Sequence, residues 1–243
     1  MSSPSILTVN KLCKSFGNVV AVHDLSFEVA PREILGIIGP NGAGKTTMFS
    51  LITGELRPDE GEVIISGEDT TYARTFKKCR HGMARTYQIP RPFLNMTVLE
   101  NLLVGAIYGA GMPYKQSKAK CEETLVKTAL ISKRNTFAAA LPLLDRKRLE
   151  LAKALSTDPT LLLVDEVAGG LSEGEVEEVL EIIHSIREQG VTVLWVEHIV
   201  MAMQKGPDRL LVMNFGRNIF CGKPEETLNS KEVQKIYLGA EET

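Results

Sequence analysis

Residues Gly39-Pro-Asn-Gly-Ala-Gly-Lys-Thr-Thr47 fit the pattern G-x-x-x-x-G-K-[ST], a loop built to hold phosphate. Gly39, Gly42 and Gly44 let the backbone curl, so that amides from Asn41 and Ala43 onward to Thr47 converge on phosphate oxygens. Lys45 reaches the β- and γ-phosphates, Thr46 offers a hydroxyl to Mg²⁺, and the helix beginning there adds its positive end. A Gly-rich turn with an exposed lysine is the plainer reading. It leaves unexplained the apolar strand just before the loop and the helix just after it.

A second chemical group ends the run Leu161-Leu-Leu-Val-Asp165-Glu166. Two acids at the end of a buried parallel strand stand at the edge of the sheet where ligands bind. Asp165 is the metal-side residue and Glu166 the candidate general base for an attacking water. Taken alone, both acids also suit a solvated strand end; the phosphate loop tips the reading towards chemistry. His198 follows the next strand and is read as a γ-phosphate contact, although a lone histidine is more often structural. His23, His81 and His184 are assigned no role.

These groups need an α/β scaffold, and the chain alternates short Val- and Ile-rich runs with amphipathic stretches. Strands are expected at Leu7 to Phe16 and Ala21 to Val29, joined by Gly17-Asn18. Further strands are expected at Ile34 to Ile38, Glu62 to Ser66 and Met83 to Gln88. A helix is expected from Gly44 to about Thr53, closed by Gly54. Thr97 and Glu100 form one helix-opening capping box, and Ser172 and Glu175 another. Strands resume at Leu161 to Val164, Val191 to Val196, Arg209 to Met213 and Asn218 to Gly222. The chain reads as one domain, 1–243, with a nucleotide-binding core at 1–88 and 158–243 and a helical subdomain at 89–157.

Composition is consistent with this. The 243 residues are 44% hydrophobic with net charge −2, which argues against a protein that grips nucleic acid by electrostatics. The four cysteines lack C-x-x-C spacing, so zinc and dithiol readings are poor and reduced thiols are expected. The opening residues lack a signal-peptide layout, and no run reaches the roughly 18 apolar residues of a membrane span. Any work at a membrane is expected from its surface.

The same residues resemble the ATP-binding cassette of ABC transporters along nearly the whole chain, and most closely the branched-chain amino acid importers. The likeness is carried by the phosphate loop, Ala84-Arg-Thr-Tyr-Gln88, Met96-Thr-Val-Leu-Glu-Asn101, Arg148 to Leu155, Val196-Glu-His198 and Tyr237-Leu-Gly239. The resemblance implies an α/β P-loop core with a mixed sheet, an antiparallel β subdomain and an inserted helical subdomain. It implies an ATPase using ATP and Mg²⁺ at the cytoplasmic face of the inner membrane. Its partners would be a second cassette subunit, two membrane permease subunits and, indirectly, a substrate-binding protein. Phe16 matches the aromatic that stacks on adenine, where a strand-end core residue is the alternative. Gln88 matches the glutamine that senses Mg²⁺ and attacking water. Ile89 to Leu94 matches part of the groove for a membrane subunit's coupling helix, a role that a plain Pro-rich loop rivals on sequence alone.

Two places depart from the family. The signature loop, usually Leu-Ser-Gly-Gly-Gln, is replaced by Leu141-Pro-Leu-Leu-Asp145. With no serine or glycine there, Asp145 is expected to cap the following helix with its own carboxylate. Gly169-Gly-Leu-Ser172 also lacks the aspartate that many cassettes carry, and Ser172 is expected to act as a helix cap. Both departures bear on cross-subunit contacts, so a heterodimer with an intact partner cassette is favoured over a homodimer. An unusual but working signature is the alternative. A regulatory cassette uncoupled from transport is the rival function.

Overall fold

The computed structural model describes residues 5–238. In chain order the first elements are β1 (Leu7–Phe16), β2 (Val19–Val29), β3 (Ile34–Ile38), α1 (Lys45–Thr53), β4 (Glu60–Ile65), β5 (Glu68–Asp69), α2 (Thr75–Arg80) and β6 (Met83–Arg85). Helices α3 (Val98–Val104), α4 (Tyr114–Lys127) and α5 (Leu143–Leu155) fill the middle. They are followed by β7 (Leu161–Asp165), α6 (Glu173–Glu188), β8 (Thr192–Val196), α7 (Val200–Lys205), β9 (Arg209–Asn214), β10 (Arg217–Gly222), α8 (Pro224–Asn229) and α9 (Lys231–Leu238).

The strands form two sheets. One is antiparallel in the order β2-β1-β4-β5; the other runs β10-β9-β3-β8-β7-β6, parallel except for the β9–β10 pair. This is the α/β architecture with a mixed sheet, an antiparallel subdomain and an inserted helical unit that the motifs imply. The continuous apolar runs follow from burial on both faces. Leu35, Leu163 and Leu194 enter a core shared with α1 and the antiparallel sheet, which includes Met48, Phe49 and Val63. Their neighbours Ile34, Leu162, Val193 and Trp195 enter a second core with Val179 and Ile183 of α6.

The helical unit has its own smaller core, including Val98, Leu102, Cys121, Leu125 and Leu149. Thr97 opens α3 as expected, with the Glu100 carboxylate accepting from the Thr97 amide at 2.7 Å. Helix α5 belongs to two cores at once. Leu149 and Ala152 face the helical cluster, whereas Leu151 and Ala154 pack in the second core beneath the parallel sheet. The four cysteines are unpaired. Among the described residues, no helix is long and apolar enough to cross a membrane.

Several boundaries differ from the sequence expectation. Strand β6 ends at Arg85, because Thr86 turns its hydroxyl to accept the Asp165 amide at 3.1 Å and Gln88 leaves the sheet. Strand β4 runs from Glu60 to Ile65 and stops before Ser66, whose backbone is left-handed in the turn with Gly67. Strand β2 starts at Val19 and β8 at Thr192. The short elements β5, α2, α7, α8 and α9 went unread, being too brief for a periodic signal. The Tyr237-Leu-Gly239 stretch lies partly outside the described residues.

Candidate functional site

Four parallel strands, β3, β6, β7 and β8, deliver their carboxyl-terminal loops to one edge of the sheet. The loop after β3 is the glycine curl. Gly44 has φ +98°, and a Cβ there would meet the Ala21 carbonyl at 2.3 Å. At Gly39 a Cβ would meet the Met213 carbonyl at 2.2 Å, so neighbouring strands hold the curl closed from outside. Ala43 is buried and its carbonyl accepts from the Gly216 amide at 3.0 Å, while Asn41 and Gly42 are exposed.

Lys45 opens α1, whose first turn contains no acidic residue. Its ammonium lies in the mouth of the curl, donating to the carbonyls of Gly39 at 2.6 Å and Pro40 at 3.0 Å. Burial pushes its pKa down, and the charges of Glu166 and Asp165 oppose that shift. Thr46 is exposed and Thr47 half-buried at the same helix start.

Asp165 ends β7 with its side chain nearly buried and paired to Arg85 at 2.9 Å. Arg85 also binds Glu55 at 3.0 Å and lies over the Phe49 and Tyr87 rings. Glu166 then leaves the strand with φ 45°, a left-handed backbone that costs energy for a residue with a Cβ. Its amide donates to Val196 at 2.9 Å, which fixes it against β8. The Glu166 carboxylate accepts from the Gln88 amide, and His198 Nδ1 lies 3.6 Å away. Gln88, Glu166 and His198 thus meet at the sheet edge.

Three groups at this edge escaped the sequence reading. Glu197 is fully buried, and its carboxylate accepts from the amides of Ala168 and His198, both at 2.9 Å. It also sits 3.3 Å from His198 Nδ1, so it orients the loop that carries His198. Arg85 lies inside the quoted Ala84 to Gln88 motif, yet nothing local pointed to Asp165. Lys147, from α5, donates to the backbone carbonyls of Gln88 at 3.0 Å and Glu166 at 3.1 Å. Burial lowers its pKa, opposed first by Glu197 and then by Glu166 and Asp165.

Phe16 ends β1 half-exposed, with Lys14 Nζ 5.7 Å from its ring centre. Its strand forms a hairpin with β2, whose Ala21 carbonyl abuts Gly44. That exposure differs from the strand-end core alternative.

The departure at 141–145 takes a form the sequence did not foresee. Pro142, not Asp145, is the N-cap of α5, and no side chain caps it. Asp145 instead sits in the first turn, buried, with its carboxylate bound by Lys133 and by Arg148 at 3.4 Å. The physical reason is that two cations neutralise this acid better than helix amides would. Ser172 does open α6 as expected, with Glu175 accepting from its amide at 2.8 Å. Leu143 joins Gln88, Lys147, Glu166, Gly170 and His198 around an open cleft of about 480 Å³.

A separate groove of about 260 Å³ lies below Gln88, between the sheet and the helical unit. Tyr87, Phe93, Glu150 and Lys153 are among its walls. Asn101 anchors the Pro-rich loop there, accepting from the Phe93 amide at 2.8 Å and donating to its carbonyl at 3.1 Å.

The donor set suits a hard cation. Among the described residues no group of three or more His, Cys, Asp or Glu could hold a metal ion. The expected Mg²⁺ residues Thr46, Gln88 and Asp165 offer a hydroxyl, a carboxamide and a carboxylate, oxygen donors of the kind such a cation takes. Few protein oxygens, completed by water and phosphate, match Mg²⁺ rather than a metal held in a closed protein cage.

Comparison with known proteins agrees with this fold. A family model described as ABC transporter matches residues 22–169. The branched-chain amino acid transport ATP-binding protein LivG of Escherichia coli K12 is 35% identical, covering 98% of this chain and 99% of its own. The lipopolysaccharide export ATP-binding protein LptB of Haemophilus influenzae is 33% identical, covering 97% of this chain and 98% of its own. The ADP conformation of MJ1267, an ATP-binding cassette of an ABC transporter, superposes with TM-score 0.90 at 30% identity, covering 98% of this chain and 100% of that one.

Proposed function

The chain belongs to the ABC transporter ATP-binding family, and from that premise we propose that it energises uptake of branched-chain amino acids or related amino-acid-like solutes. It is an ABC-type ATP-hydrolysing subunit, and family membership implies dependence on ATP and Mg²⁺. Its relatives include both amino acid transport and lipopolysaccharide export ATPases, so the family alone leaves the solute open. The importer reading is supported by relatives named LivG and BraF at 34–36% identity over 98% of this chain. We place the chain peripherally at the cytoplasmic face of the inner membrane, with residues 89–157 as its helical unit. The groove beside Phe93 would receive a permease subunit.

Phosphoryl transfer to water needs chiefly placement and charge stabilisation. In this reading the backbone from Gly39 to Gly44 and the Lys45 ammonium hold the β- and γ-phosphates, and Phe16 stacks on adenine. Thr46, Gln88 and Asp165 would hold Mg²⁺, which when bound neutralises charge on the phosphate oxygens. Glu166 accepts the proton of the attacking water, the water oxygen bonds to phosphorus, and the bond to the ADP oxygen breaks. Gln88 fixes the Glu166 carboxylate, and His198 contacts the γ-phosphate. One observation carries this reading. Among the described residues, Glu166 is the acid that has Gln88 on one side and His198 on the other, at the sheet edge that holds Lys45. Glu166→Gln should keep nucleotide binding while turnover falls on the order of a thousandfold. Normal turnover in that variant rejects the base assignment.

The start of α5 favours a heterodimer. Pro142, Leu143, Leu144 and the paired Asp145 offer little to a phosphate, so a partner cassette with an intact signature would complete the site of Lys45 and Glu166. ATP hydrolysis should therefore be feeble for the purified chain and rise in the complex it co-purifies with. Equal turnover in both states counts against this arrangement. The same helix start favours a second reading, a nucleotide-gated regulatory cassette. Recovery of two membrane subunits supports transport, whereas a wholly soluble complex supports regulation.

A further inference from the structure

We propose that Lys147 is a positioning residue that locks the catalytic carboxylate to the Gln88 loop and reports the place of α5 to both. This rests on the reading of Glu166 as the base. The Lys147 ammonium bridges the main-chain carbonyls of Gln88 and Glu166, one from the loop after β6 and one from the end of β7. Those same two residues are joined again through their side chains. The pair is therefore tied twice, and one of the ties originates outside the sheet.

Three features make this tie more than a surface contact. Lys147 is 5% exposed, so its ammonium has given up most of its water and relies on these carbonyls and nearby acids. Glu166 holds a left-handed backbone, a conformation that persists only where its surroundings fix it. Its amide is held by Val196 and its carbonyl by Lys147, so the peptide groups on both sides of its Cα are pinned. Finally, Lys147 sits in α5, which packs with the helical cluster through Leu149 and with the core beneath the sheet through Leu151. A shift of α5 against the sheet would pull the ammonium from one or both carbonyls. It would release Glu166 without disturbing the phosphate loop, to which Lys147 makes no hydrogen bond.

The test uses the assembled complex and compares Lys147→Met, which keeps the length and loses the donors, with Lys147→Arg, which keeps them. In Lys147→Met, kcat should fall on the order of tenfold to a hundredfold, as for a misplaced catalytic group. The KM and Kd for Mg-ATP should stay within about twofold. Amide exchange at Glu166 should quicken, and Lys147→Arg should restore most of the turnover. Unchanged kcat in Lys147→Met overturns the proposal. So does a loss shared equally by KM and kcat, accompanied by a lower melting temperature and not restored by arginine. Glu166→Gln run in parallel separates the two ideas. If it stalls while Lys147→Met turns over normally, only the role of Lys147 falls. If it turns over normally, the base reading falls and takes this proposal with it.

Discussion

Helix α1 begins after a glycine curl with Lys45 in its first turn and no acid there, whereas α5 begins after Pro142 with Asp145 in its first turn. Both are helix starts, and both carry the partial positive charge of unpaired amides. At α1 the sequence leaves that charge open to an outside anion and adds an ammonium. At α5 the chain supplies its own anion and surrounds it with Lys133 and Arg148. Arg148 also binds Glu178 of α6, so Asp145 belongs to a strut between the helical unit and the core. A helix start is therefore a binding site only when the chain leaves its charge unanswered. The contrast fits the proposal that one molecule holds a phosphate loop and takes the other half of its site from a partner cassette.

The contrast can be broken at either end. The largest effect is expected at α1, where Lys45→Ala removes a charged donor from the phosphate. Affinity for Mg-ATP by titration calorimetry should fall about a hundredfold. Unchanged affinity would make the α1 start no more of an anion site than α5. At α5, Asp145→Asn strips the countercharge from Lys133 and Arg148. Because Lys133 is partly exposed and Arg148 keeps Glu178, the loss should be about 2 kcal/mol of unfolding free energy in denaturant. Nucleotide affinity should not change, and a large loss of it would tie Asp145 to the ligand instead of the strut.

A further test lies at the other end of α1 and shows itself only above neutral pH. Lys78 is fully buried and donates to the Ile52 carbonyl at 2.7 Å, in the last turn of that helix. Burial lowers its pKa from 10.5 to about 8. Below pH 8 both folded and unfolded chains hold the proton, and the cost of burying the charge is present in full. Between about pH 8 and 10.5 the folded chain sheds a proton that the unfolded chain keeps, so stability from this group rises with pH. Lys78→Met should remove that rise, worth at most about 1.4 kcal/mol per pH unit. Parallel stability curves for the two proteins across this window would show that Lys78 keeps an ordinary pKa.

The legible parts of the site share one property: their residues lie close together in sequence. The curl, Lys45 and Thr46 fall within nine positions, and the capping boxes at Thr97 and Ser172 span three. Helix and strand periodicity then carried the order of elements, except where elements were too short to show a period, as in α2 and β5. The end of β6 was overextended because its last apolar-looking residues leave the sheet through a hydroxyl contact with the Asp165 amide, 79 positions away. Locally Asp145 suits a cap, because Asp is a good cap; its cationic partners Lys133 and Arg148 decide otherwise.

By itself the sequence determined which chemistry is present, because a phosphate loop is a local backbone shape that glycines and one lysine specify within a few residues. It also showed that 141–145 lacks the serine and glycines of the usual signature loop. Tertiary structure alone decided how the chemistry is held. Arg85 meets Asp165 across 80 positions, Gln88 meets Glu166 across 78, and Lys147 reaches back 59 to Gln88. Such contacts depend on strand order and on where α5 lies, and no spacing along the chain encodes them. A side chain's partner is set by the packing of whole elements, so only the folded molecule tells which charges answer one another.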